Sequence, residues 1–126
     1  MQDRPNALEL LATISAFFDE ELLPSLSGPL QYRVRVAANL VKILERELTL
    51  SPEHNRNEVA ALHALIRGVE SDAAMALNAR LGDAIAAGAF DRDPEPLWSA
   101  LMAVTRAKLA VVKPGYDGYD GSIERP

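Results

Sequence analysis

Two histidines, and a set of charged side chains that fall on apolar helix faces, are the residues of this chain whose types and spacing could do chemistry. His54 and Glu58 are spaced i, i+4, with His63 on the same segment, and such spacing lets one helix face offer ligands to a transition metal. Nine residues separate His54 from His63, so on a continuous helix their bearings differ by about 180°. The two rings cannot converge on one ion, and no metal site is expected. His63 borders Val59, Leu62 and Ile66 and reads as a histidine at the edge of a core. Ser99 and Thr105 have no histidine near them in sequence and no nucleophile-elbow glycines. Gly115, Gly118 and Gly121 are not followed by a helix whose N-terminus could hold a phosphate. The chain has no cysteine, which excludes thiolate ligands, a cysteine nucleophile and a disulfide framework. No catalytic residue and no cofactor is expected, and the chain reads more readily as a non-enzyme than as an enzyme.

A sharper signal comes from charges on faces that should be apolar. With residues placed at about 100° per position, Glu21 projects between Leu10 and Ile14. Arg33 and Glu47 lie within the stripe of Val34, Val36, Ala37, Leu40, Val41, Leu44 and Leu48, while Arg35, Lys42 and Arg46 share the polar side. Lys108 lies in the middle of Leu97, Leu101, Val104, Val111 and Val112. An unpaired charge in a dry core costs several kcal/mol, so such groups should be paired, should reach water over long stems, or should form a site. Glu21 and Arg33 flank one short turn, where antiparallel packing would pair them. Glu47 and Lys108 would pair only if their helices run roughly parallel there. Alternatively, Arg33 and Lys108 could hold a carboxylate or phosphate against apolar walls, which makes Glu21, Arg33, Glu47 and Lys108 the candidate ligand-binding set. Asn39 falls on the polar side, and Arg106 shares a small-residue face with Ala103, Ala107 and Ala110 that would let a second copy approach as a homodimer.

The elements that must position these residues are helices. Alanine and leucine supply 38 of 126 residues, both strong helix formers. Glycines and prolines divide the chain into five predicted helices. The first runs from about Pro5 to Leu23, with Asp3 as its cap and Pro24 as its end. A second runs from about Leu30 to Leu50. Ser51-Pro52-Glu53 resembles a capped start with proline in the first turn, so a third reaches about Arg67 and stops at Gly68. Ser71-Asp72 caps a fourth, ending at Gly88, and Asp93-Pro94 opens a fifth that continues to about Val112. The expected fold is all-α: a compact bundle of about five helices over residues 1–115, followed by a flexible polar tail over 116–126 in which Tyr-Asp-Gly occurs twice.

The balance of 13 basic against 18 acidic residues gives a net charge of −5, which repels phosphate backbones and anionic lipid. Neither nucleic acid nor a membrane is an expected partner. No apolar run approaches the roughly 20 residues of a membrane span, and the start lacks the order of a signal peptide, so a soluble cytoplasmic protein is expected.

The run Tyr32-Arg33-Val34-Arg35-Val36-Ala37-Ala38-Asn39, then Glu45-Arg46-Glu47-Leu48, resembles a small bacterial family. Arg4-Pro5, Glu21-Leu22-Leu23-Pro24 and Lys108-Leu109-Ala110-Val111 through Pro114 and Tyr116 belong to the same pattern. That uncharacterised helical family is encoded beside, or fused to, kinases similar to aminoglycoside phosphotransferases, often near acyl-CoA dehydrogenases. The resemblance spans about Met1 to Tyr116 and implies a kinase-like protein as partner and an accessory role, without implying catalytic residues. An anion-binding protein and a self-associating helical protein are the alternatives.

Overall fold

The computed structural model describes residues 3–116, and every regular element among them is helical. Helix α1 spans Ala7–Phe17, passes through one π-helical stretch at Phe18–Leu22, and finishes in the single turn α2, Leu23–Ser25. Helix α3 spans Gly28–Leu65, α4 spans Ala74–Ala86 and α5 spans Glu95–Val112. The chain divides between Ser51 and Pro52 into two compact units.

All-α is the observed class, but among the described residues the expected five helices become four, with α1, the π-helical stretch and α2 forming one, because the segments on either side of Ser51-Pro52 are one helix of 38 residues. Pro52 was expected in a first turn, where its missing N–H is harmless. Inside a helix it withholds a hydrogen bond from the Leu48 carbonyl, at a cost of about 3 kcal/mol. Cooperative helix formation through strong formers on both sides carries the backbone across it.

In the first unit, Asn6 rather than Asp3 caps α1. Its side chain accepts from the Glu9 N–H at 3.0 Å, and the Glu9 carboxylate accepts from the Asn6 N–H at 2.9 Å, a reciprocal capping box. The Arg4 guanidinium pairs with the same carboxylate, and together these donors hold Glu9 below the usual carboxylate range. Pro24 does not end the helix. Its ring would crowd the Glu20 carbonyl in a regular helix, and the preceding turn widens so that the Leu23 N–H donates to Phe18. Gln31 then clamps the connection, its Nε2 donating to the carbonyls of Leu26 at 2.8 Å and Leu23 at 3.2 Å. Along the hairpin, Ser15 donates to Glu45 at 3.3 Å and Lys42 pairs with Asp19 at 2.7 Å. Later positions of α1 thus meet earlier positions of α3, so the helices are antiparallel. Ser15 and Ala38 are the buried residues described in this unit.

The second unit has an apolar core. Leu62 from α3 and Ile66 just past its end pack on Leu77 and Leu81 from α4, with Val59, Val69, Phe90 and Leu97 closing over them. Asn78 donates to Glu58 at 2.9 Å beside this core. Gly68 and Gly88 adopt φ of +80° and +81°, left-handed values that follow the ends of α3 and α4 as the sequence predicts. Helix α4 starts at Ala74, slightly later than its expected cap at Ser71-Asp72, with Ser71 Oγ accepting from the Ala73 N–H. Of the expected tail, Tyr116 is exposed and its ring lies 4.9 Å from Lys113 Nζ; residues 117–126, including Tyr119, lie outside the described residues.

Leu77 is fully buried at 0% exposure, so Leu77→Ala should lower the unfolding free energy by about 2–5 kcal/mol in urea titrations followed by circular dichroism. A loss below about 1 kcal/mol would contradict the packing described for this core.

Candidate functional site

The charges singled out from sequence do not enter a dry core. Glu21, Arg33, Glu47 and Lys108 are all exposed. Among the described residues, the ion pair across the α1/α3 hairpin is Asp19–Lys42, and neither Glu21 nor Arg33 makes one. The expected Glu21–Arg33 pair is therefore absent. Both heads are hydrated, and a pair held together in water contributes little against the entropy of two long side chains. Glu21 instead lines a shallow groove of about 570 Å³ with Ala12, Thr13, Ala16, Phe17 and Glu20. Arg33 and Glu47 lie in the first unit and Lys108 in the second.

The apolar stripes also divide differently from expectation. On α1 the buried flank runs through Leu11, Ser15, Phe18 and Leu22, while Leu10, Ile14 and Phe17 stay 46%, 43% and 48% exposed. On α3, Glu45 bonds Ser15 of α1, Lys42 pairs with Asp19 of the π-helical stretch, Gln31 bonds the Leu23 and Leu26 carbonyls and Ala38 is buried, all off the centre of the predicted stripe. Val36, Leu40, Leu44 and Leu48 are left 43%, 56%, 49% and 48% exposed. In an antiparallel pair, side chains displaced in the same rotational sense from the contact line emerge on the same side. Leu10, Ile14 and Phe17 therefore emerge on the same side as Leu44 and Leu48, while Val36 and Leu40 point away from α1. On α5, Val111 is buried and Leu97 and Val104 are half-buried, whereas Leu101 and Val112 remain exposed beside Lys108.

The second unit holds a cleft that residue spacing did not reveal. Leu65, Ile66, Val69 and Phe90 form apolar walls of a space of about 530 Å³, and Arg67 and Arg80 line it with their exposed side chains. Arg67 is placed where α3 ends before Gly68, and Arg80 projects from α4. Two guanidinium groups against an apolar wall suit an anion with an apolar body, since guanidinium binds carboxylate and phosphate through paired N–H donors. The arginines lie thirteen positions apart, Arg67 just past the end of α3 and Arg80 on α4, and nothing in their local sequence distinguishes them from solvated charges.

His63 Nε2 stands 3.3 Å from the Asp72 carboxylate at the edge of the core, as its boundary position implies. Among the described residues, no group of three metal-ligating side chains occurs. No helix among them is long and apolar enough to cross a membrane.

Over residues 24–116 the chain matches the family model described as Domain of unknown function (DUF6285), and the match takes in parts of both units. No curated protein and no solved structure matches it.

Because Glu21 is exposed and unpaired, Glu21→Ala should change the unfolding free energy by less than about 0.5 kcal/mol. A loss of several kcal/mol in the same denaturation assay would restore the buried pair with Arg33.

Proposed function

The chain belongs to the DUF6285 family, whose description assigns no activity, and on that premise we propose that it is a non-catalytic interaction module, accessory to a kinase similar to aminoglycoside phosphotransferases. The observation that carries this reading is the exposed apolar surface of the first unit, where Phe17, Leu40 and Leu44 are each about half exposed. Large apolar side chains left at the surface in such number mark sites where proteins meet, because leaving them in water forgoes the burial energy that drives association. The family resemblance supplies the kinase as the candidate partner, a bacterial source and acyl-CoA metabolism as the setting.

A second reading has its own observation. The cleft flanked by Arg67 and Arg80 fits a small anionic ligand with an apolar portion, so the anion-binding alternative is better served there than by Arg33 and Lys108.

Mixing the purified chain with the kinase-like protein encoded nearby should give one heteromeric peak in size-exclusion chromatography with light scattering. Separate elution at concentrations well above micromolar would overturn the accessory reading. For the cleft, a panel of phosphorylated and carboxylated metabolites should contain compounds that raise the melting temperature of the native chain but not of an Arg67→Ala, Arg80→Ala double variant. A shift that survives this double substitution, or no shift across the panel, would remove the cleft as a ligand site.

A further inference from the structure

The exposed face of α3 carries a charge pattern that identifies its occupant. The inward side of α3 is fixed by the bonds of Gln31, Lys42 and Glu45 to the helix and turn that precede it and by buried Ala38. At 100° per residue, the opposite side presents Arg33, Val36, Leu40, Ile43 and Glu47, with Leu44 beside them. Their spacing alternates three and four, the period at which one helix offers a continuous seam to another. Arg33 and Glu47 stand seven residues before and after Leu40, so the seam has a basic end, an apolar middle and an acidic end, with Leu40 at its centre.

The geometry points to a second copy of this chain as the occupant, with the two α3 helices antiparallel and crossing at Leu40. A two-fold axis there sets Leu40 against its own equivalent and Val36 against Leu44 of the second copy. Arg33 faces Glu47 of the second copy at one end of the seam, and the reciprocal pair forms at the other. A parallel arrangement in register would instead oppose Arg33 to Arg33 and Glu47 to Glu47. The charges thus favour one direction and one register.

The apolar middle of the seam is open to water, with Val36, Leu40 and Leu44 43%, 56% and 49% exposed. This inference rests on the interaction role proposed above and names what covers that face; a kinase-like partner would then meet a dimer.

Light scattering on the chain alone tests it. The mass should be twice 13.7 kDa at tens of micromolar, and either charge reversal, Arg33→Glu or Glu47→Arg, should raise the dimer dissociation constant at least roughly tenfold. Combining Arg33→Glu with Glu47→Arg should restore dimerisation, because the reciprocal pairs re-form with their signs exchanged. These are exposed positions, and circular dichroism would verify that each variant keeps its helix content. A monomeric mass overturns the proposal, as does a dimer indifferent to the single reversals or not rescued by the double one. A monomer that still binds the kinase-like protein would overturn the dimer while leaving the accessory role intact.

Discussion

A helix of 38 residues is about 57 Å long, and a structure can bury only as much of that surface as its neighbours reach. This constraint on α3 governs the rest of the structure. Beyond Pro52, α3 has α4 and α5 as companions in its unit and contributes Leu62 to a packed apolar core. Before Pro52, among the described residues, the long helix that accompanies it is α1, which covers one side. The far side carries leucines in the same rhythm but has no helix of its own unit to meet.

The two units accordingly cohere by different physics. In the second, Leu77 and Leu81 are withdrawn from water among apolar neighbours, and burial supplies the main stabilisation. In the first, directional contacts set the arrangement: the capping box at Asn6, the Gln31 clamp on two carbonyls, Ser15 on Glu45 and Lys42 on Asp19. Partly exposed contacts of this kind specify register more than they add stability. So small a layer gains most from a further apolar surface, which is the physical reason its uncovered leucines matter.

Much of this was legible in the sequence. Helix propensity gave the class, and Gly68 and Gly88 marked ends because their left-handed conformations suit glycine. The Asn6-x-x-Glu9 box was written there too, although Asp3 drew the assignment. Pro52 misled for a physical reason: local rules record its cost, while cooperativity through the flanking residues decides whether the helix continues. The stripes were real but ambiguous, since period alone shows which face is apolar and cannot show whether its cover comes from the same chain. That ambiguity is why Glu21, Arg33 and Lys108 looked like charges inside a core and are hydrated instead. The Arg67/Arg80 cleft was not legible, because it arises where a helix end meets the next helix in space.

Pro52 has a thermodynamic corollary. It supplies no N–H to the Leu48 carbonyl, which removes one backbone hydrogen bond from α3 at the boundary between the two units. Opening of the backbone is easiest where the ladder lacks a rung, so amide protons beside Pro52 would exchange with solvent ahead of those on either side. Each part of the helix then melts with the unit it belongs to.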